Sequence, residues 1–197
     1  MVCRIWGMGS KIMNIIITLF VLFFSSSVFS NNISDFQING MSLGENLLDY
    51  FSKEDINDNL RKDSYTYVTK EKNKYVHTQF FEIPNLQKYD ALQISYKEIN
   101  IGYFKIVMIG GMIPFKDMEL CYKKQKEIDS EVNLLIKNNF KNENYFTNER
   151  GSTNRIQYNL KKGKIEIDCV NWNDDIPWLD HLRVTISSDE FEKWIKG

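Results

Sequence analysis

Residues 169–182 read CVNWNDDIPWLDHL, bringing a cysteine, two tryptophans, three aspartates and a histidine close together. Carboxylates with an imidazole could ligate a cation, and a carboxylate beside a histidine could drive hydrolysis. The spacing speaks against a calcium loop. An EF-hand-like loop alternates oxygen ligands and then requires a glycine, whereas Ile176 and Pro177 stand where that glycine and the next ligand would be. Asp, Asn and Pro are also the residues an ordinary turn requires. The expectation is a polar turn between two strands, with no metal ligands, no catalytic set and no cofactor.

Strand parity supports this. In HLRVTIS, Leu182, Val184 and Ile186 form the apolar face, which places His181, Arg183 and Thr185 on the opposite, solvated one. In YVHTQFF, Tyr75, His77 and Gln79 share a face, and Val76 and Thr78 take the other. The chain has two histidines, neither beside a cysteine in sequence, so zinc binding and Cys-His catalysis lack partners. With 26 acidic residues, pairs of carboxylates arise by chance and identify no glycosidase-like site. Gly110 and Gly111 lack the spacing of a phosphate loop and read as a bulge or strand exit. No GxSxG elbow occurs.

The tryptophans carry more information. From residue 31 onward all of them, Trp172, Trp178 and Trp194, lie at position 172 or later, and two flank the acidic turn. Indoles beside carboxylates can stack on a sugar or anchor a protein, and they can equally close off a core. The candidate binding set is therefore Trp172, Asp174, Asp175, Trp178 and His181.

These residues need a scaffold. INGMSLGENLLDYFSKEDINDNL predicts two short helices, the first with Leu43, Leu47, Leu48 and Phe51 on one face, the second capped by Ser52 ahead of Glu54 and Asp55. SYTYVT, KYVHTQFFEI, ALQISYKE and GYFKIVMIGGMI predict a four-strand antiparallel meander. A long helix follows over about residues 115–139, with Met118, Cys121, Gln125, Ile128, Val132 and Leu135 as its apolar stripe. YFTNE, RIQYNL, KIEIDCVNW and HLRVTIS supply further antiparallel strands, LKKGK is a hairpin turn, and SDEFEKWIK is a short final helix capped by Ser188 or Asp189. The fold class is α+β, with the long helix packed on one face of antiparallel sheet. In layout alone this resembles small envelope proteins of the outer-membrane assembly lipoprotein type, although the acylated cysteine after the leader is missing.

Residues 1–30 read as a signal peptide, and residues 31–197 as a single exported α+β domain. Arg4 and Lys11 precede an apolar run from Ile12 to Phe24, too short for a membrane-spanning helix of about 20 residues. The same reading holds whether translation starts at Met1 or Met8. The expected location is periplasmic or secreted, with no permanent membrane span after cleavage. Removing Arg4 and Lys11 leaves 25 − 2 = 23 basic against 26 acidic residues, a net charge of −3. That balance disfavours a nucleic-acid partner, which needs clustered positive charge.

Cys121 and Cys169 remain after cleavage, and both fall on predicted buried faces: Cys121 on the helical stripe, and Cys169 with Ile165 and Ile167 on one face of KIEIDCV, with Lys164, Glu166 and Asp168 on the other. An even number in an exported chain suggests a disulfide. The expected function is a noncatalytic binding or envelope-associated module whose partner is an envelope protein or a glycan. The alternative is a small exported hydrolase using a carboxylate with His181 or His77.

Overall fold

A computed structural model describes residues 32–60, 74–81, 88–136 and 140–196, with Phe140 described in its backbone alone. The expected signal peptide and the expected strand SYTYVT lie outside the described residues.

Two antiparallel meanders account for the sheet. The first runs β3 (Val76–Phe81), β4 (Ala91–Asn100) and β5 (Tyr103–Pro114). The second runs β6 (Phe140–Asn148), β7 (Gly151–Leu160), β8 (Gly163–Trp172) and β9 (His181–Ser188). They merge through β5 and β9 into one seven-stranded antiparallel sheet of order β3-β4-β5-β9-β8-β7-β6. Between the meanders lies the long helix α2 (Met118–Leu135). It begins later than the apolar pattern alone suggests, because Asp117 caps it by accepting from the Glu119 amide at 2.9 Å.

The predicted stripe is the buried one: Cys121, Gln125, Ile128 and Val132 face the sheet. Their neighbours in the core include Ile165, Ile167, Leu182 and Ile186, the inward positions of β8 and β9. Two anchors fix this packing. Cys121 and Cys169 form a disulfide with Cα atoms 6.0 Å apart. One turn later, the buried Gln125 donates to the carbonyls of Ile167 (2.7 Å) and Asn154 (2.8 Å).

The N-terminal segment covers the rest of this face. It comprises a two-residue ribbon, β1 (Gln37–Ile38) and β2 (Met41–Ser42), 3-10 turns at Ile33–Asp35 and Leu47–Asp49, and the six-residue helix α1 (Lys53–Asp58). The first of the two expected short helices is thus a 3-10 turn. The second is α1, with a complete capping box: Ser52 Oγ accepts from the Asp55 amide at 3.0 Å, and Asp55 accepts from the Ser52 amide at 3.2 Å.

On the opposite face, α3 (Asp189–Lys196) packs Phe191, Trp194 and Ile195 against Tyr75, Val107 and Met108. Ser188 Oγ accepts from the Phe191 amide at 3.3 Å.

Gly110 and Gly111 lie in regular register with Thr185 and Val184, not in a bulge. The register shifts of the β4–β5 ladder fall elsewhere, at Ser95/Tyr96 and Glu98/Asn100. Gly111 is there because the Tyr89 ring lies on it: an added Cβ would come within 2.5 Å of that ring.

The disulfide closes a separation of 48 residues, which in the chain-entropy model restricts the unfolded state by roughly 4 kcal/mol. Denaturant titration should therefore show the Cys121→Ala/Cys169→Ala variant unfolding at clearly lower denaturant than the parent. Adding reductant should lower the parent's midpoint and leave the variant's unchanged.

Candidate functional site

Residues 173–180 link β8 to β9, and the loop is held in place through its backbone. Asn173 donates from its amide to the Arg150 carbonyl and from its side chain to the Glu149 carbonyl, both at 2.9 Å. The Ile176 amide closes a turn onto the Asn173 carbonyl at 2.9 Å. Asp180 clamps the far end. Its carboxylate accepts from the Trp172 amide at 2.7 Å, and its carbonyl accepts from the Phe115 amide at 2.8 Å.

On this frame Trp172 and Trp178 meet edge to face, with ring centres 4.8 Å apart. The Arg150 guanidinium lies 5.4 Å from the Trp178 ring centre. Trp172 is half-buried, Trp178 is 47% exposed and Leu179 is 73% exposed. The Trp172 Nε1–H is buried without an acceptor among the described residues. Such a donor costs about 1–3 kcal/mol.

His181 is half-buried beside Trp172, at 6.3 Å between ring centres, and its Nδ1 lies 2.8 Å from the Leu179 carbonyl. Asp174 and Asp175 are exposed at the loop tip. The fold thus joins Trp172, Trp178 and His181 in one aromatic group and leaves the two aspartates outside it. Among the described residues, no three His, Cys, Asp or Glu side chains converge as a metal cage.

His77 lies on the α3 side of the sheet, its Nδ1 2.8 Å from Ser95 Oγ, with Phe191 and Trp194 about 6 Å from its ring. A serine beside a histidine could be a nucleophile with its base. Here Ser95 is fully buried, so its hydroxyl is closed to a substrate. The apolar crevice between α2, the N-terminal segment and the sheet, lined by Phe36, Tyr89, Ile128 and Val184 among others, holds about 50 Å³. Small-molecule sites begin at about 300 Å³.

The face read as solvated contains a buried ionic network. Asp168 is 0% exposed, and its carboxylate receives Arg155 through Nε and Nη2, both at 2.7 Å, and Arg183 Nη2 at 2.8 Å. Arg155 also reaches Glu166 at 2.8 Å, and Lys164 joins Glu166 at 2.6 Å and Glu192 of α3 at 2.7 Å. Burial alone would raise the Asp168 carboxyl. The hydrogen bonds from Arg155 and the charges of Arg183 and Arg155 outweigh burial and hold it below its ordinary value. For His181, burial dominates and lowers the imidazole below its usual 6.5, aided by the charge of Arg183 and opposed by the Leu179 hydrogen bond.

Comparison with protein-family models, curated proteins and solved structures finds no match to the chain.

Asp168→Asn leaves two guanidiniums beside an uncharged amide, and breaking a buried ion pair in this way costs about 3–5 kcal/mol. Because the folded carboxyl titrates below its usual 3.8, its contribution is complete above that pH and is lost as pH falls through the lowered value. Chemical denaturation across acidic pH should show this slope in the parent and its loss in Asp168→Asn. For His181, NMR titration should place the imidazole below 6.5, neutral at pH 7. Its contribution to stability is complete above 6.5 and declines as pH falls toward the folded value.

Proposed function

We propose that the chain is an exported, noncatalytic binding module that docks an envelope protein through the aromatic end of its sheet. The observation that carries this is Trp178. A large indole lies half in solvent, braced by Trp172, faced by Arg150, and mounted on a loop whose backbone is bonded at both ends. Rigid aromatic and arginine side chains carry much of the energy in protein interfaces, since little freedom remains to be lost on binding.

Leu179, projecting beside Trp178, favours a protein over a glycan, because an aliphatic side chain adds burial to a protein contact and little to a stacked sugar. The unmet Trp172 donor supports the same reading: keeping the indole pair assembled costs stability, as is common where function shapes a site. Export is supported by the disulfide, which belongs to oxidising compartments, and by the leader-like composition of residues 1–30. No helix among the described residues is long and apolar enough to cross a membrane.

The alternative, a hydrolase working through a carboxylate and a histidine, has less support. Nδ1 of His181 faces a backbone carbonyl, and Nδ1 of His77 faces a buried hydroxyl.

A photoreactive residue at Leu179, expressed in the producing cell, tests the binding reading, with one at the exposed Ile101 of the β4–β5 turn as control. The expected result is a discrete adduct from position 179 alone, reduced at least tenfold by Trp178→Ala, in line with a hot-spot loss of about 2 kcal/mol. An adduct trimmed by glycosidase and not by protease would replace protein with glycan. Identical patterns from positions 179 and 101 would refute the docking surface.

A further inference from the structure

Arg150 is bonded differently from the arginines of the ionic cluster. Arg155 and Arg183 spend N–H donors on the carboxylate of Asp168. Arg150 is exposed and, among the described residues, its guanidinium meets the Trp178 ring and no carboxylate. Attraction to a ring face uses the charge of a guanidinium and leaves its N–H fork unoccupied. The backbone that carries this fork is fixed. The Arg150 amide donates to Asn148 Oδ1 at 2.8 Å, and the Arg150 carbonyl accepts from the Asn173 amide at 2.9 Å. The next residue, Gly151, packs so closely on the far strand that a Cβ there would fall 2.2 Å from the Asn171 carbonyl oxygen.

From this arrangement, and resting on the docking reading above, we infer that the protein bound at Trp178 presents a carboxylate to Arg150, beside an apolar side chain that lies on Trp178 and Leu179. A guanidinium fork pairs in two-pronged fashion with a carboxylate or with a phosphate. The surrounding charge decides between them. Glu149 precedes Arg150, and Asp174 and Asp175 follow the Asn173 that is bonded to this turn, all three exposed. A doubly charged phosphate or an anionic bilayer would be set against all of them, whereas a single carboxylate incurs the least of that repulsion. The two aspartates, which stand outside the aromatic group, then act by excluding wrong partners.

The test uses isolated envelopes of the producing cell and the protein carrying the photoreactive residue at Leu179. Arg150→Gln should reduce the adduct roughly tenfold, as loss of an interfacial arginine does. Arg150→Lys, which keeps the charge, should retain most of it, and both variants should melt at the parent's temperature. Raising the ionic strength should weaken the parent's adduct and leave what remains in Arg150→Gln unchanged, because screening acts on the charge pair.

A carbodiimide then locates the carboxylate. It activates that group, and the amine introduced by Arg150→Lys displaces the activated oxygen to form an amide, with the carbodiimide leaving as a urea. Peptide mapping should place this amide between position 150 and an acidic side chain or a chain terminus of the same protein that position 179 captures. The parent should give none, since its guanidinium does not couple. A full-strength, salt-insensitive adduct in Arg150→Gln would overturn the carboxylate and leave the docking surface standing, as would an amide confined to Asp174 or Asp175 of the same chain. Absence of any adduct from position 179 in the parent would overturn both.

Discussion

Strand β8 is fastened from both sides at adjacent residues, and the rest of the molecule is arranged around that point. Cys169 faces one way and is covalently joined to α2. Asp168 faces the other way and is held by Arg155 and Arg183 from the flanking strands. The two anchors differ in kind. The disulfide raises the free energy of the unfolded chain. The ionic cluster contributes mainly by requiring β7, β8 and β9 to keep their register, because a slip of one residue would send each side chain to the wrong face and leave a carboxylate buried alone.

Register on β7–β9 in turn positions the aromatic end. Trp172 is the last residue of β8 and His181 the first of β9, so both inherit their orientation from the ladder that Asp168 and Arg183 share. Asp180 completes the arrangement by tying the loop back to Trp172. A flexible loop bearing the same residues would present the same chemistry, but ordering it on contact would cost binding energy.

Much of this was legible in the sequence because it depends on local periodicity. The stripe Cys121, Gln125, Ile128, Val132 and the alternation of KIEIDCV gave the buried faces, and with them the two half-cystines, without any knowledge of topology. Asp180 and the Trp172–Trp178 contact were less accessible, since their partners depend on how a loop closes. The ionic cluster was missed although Arg183 and its three β8 members stood on polar strand faces. Lys164, Glu166 and Asp168 alternate as a solvated face does. They become buried because Arg155 and Arg183 arrive from neighbouring strands and α3 closes over one end, and only strand order reveals those neighbours. Gly111 failed for the same reason: the Tyr89 ring that requires it lies on the segment leading into β4.

The position of the sulfur bridge within the strand order has a kinetic consequence. Both half-cystines lie in the stretch from α2 through β8, and every hairpin of the second meander joins neighbours in sequence. The β5–β9 ladder, by contrast, pairs Met108 with Ser187 and Pro114 with His181, the most distant partners in the sheet. Bringing such remote segments together is the slow part of assembling a sheet, because the loop entropy is spent before the contacts form. Oxidation can therefore precede that closure. A nascent chain would carry a locked carboxy-terminal subunit, into which the earlier strands dock as a second, later event.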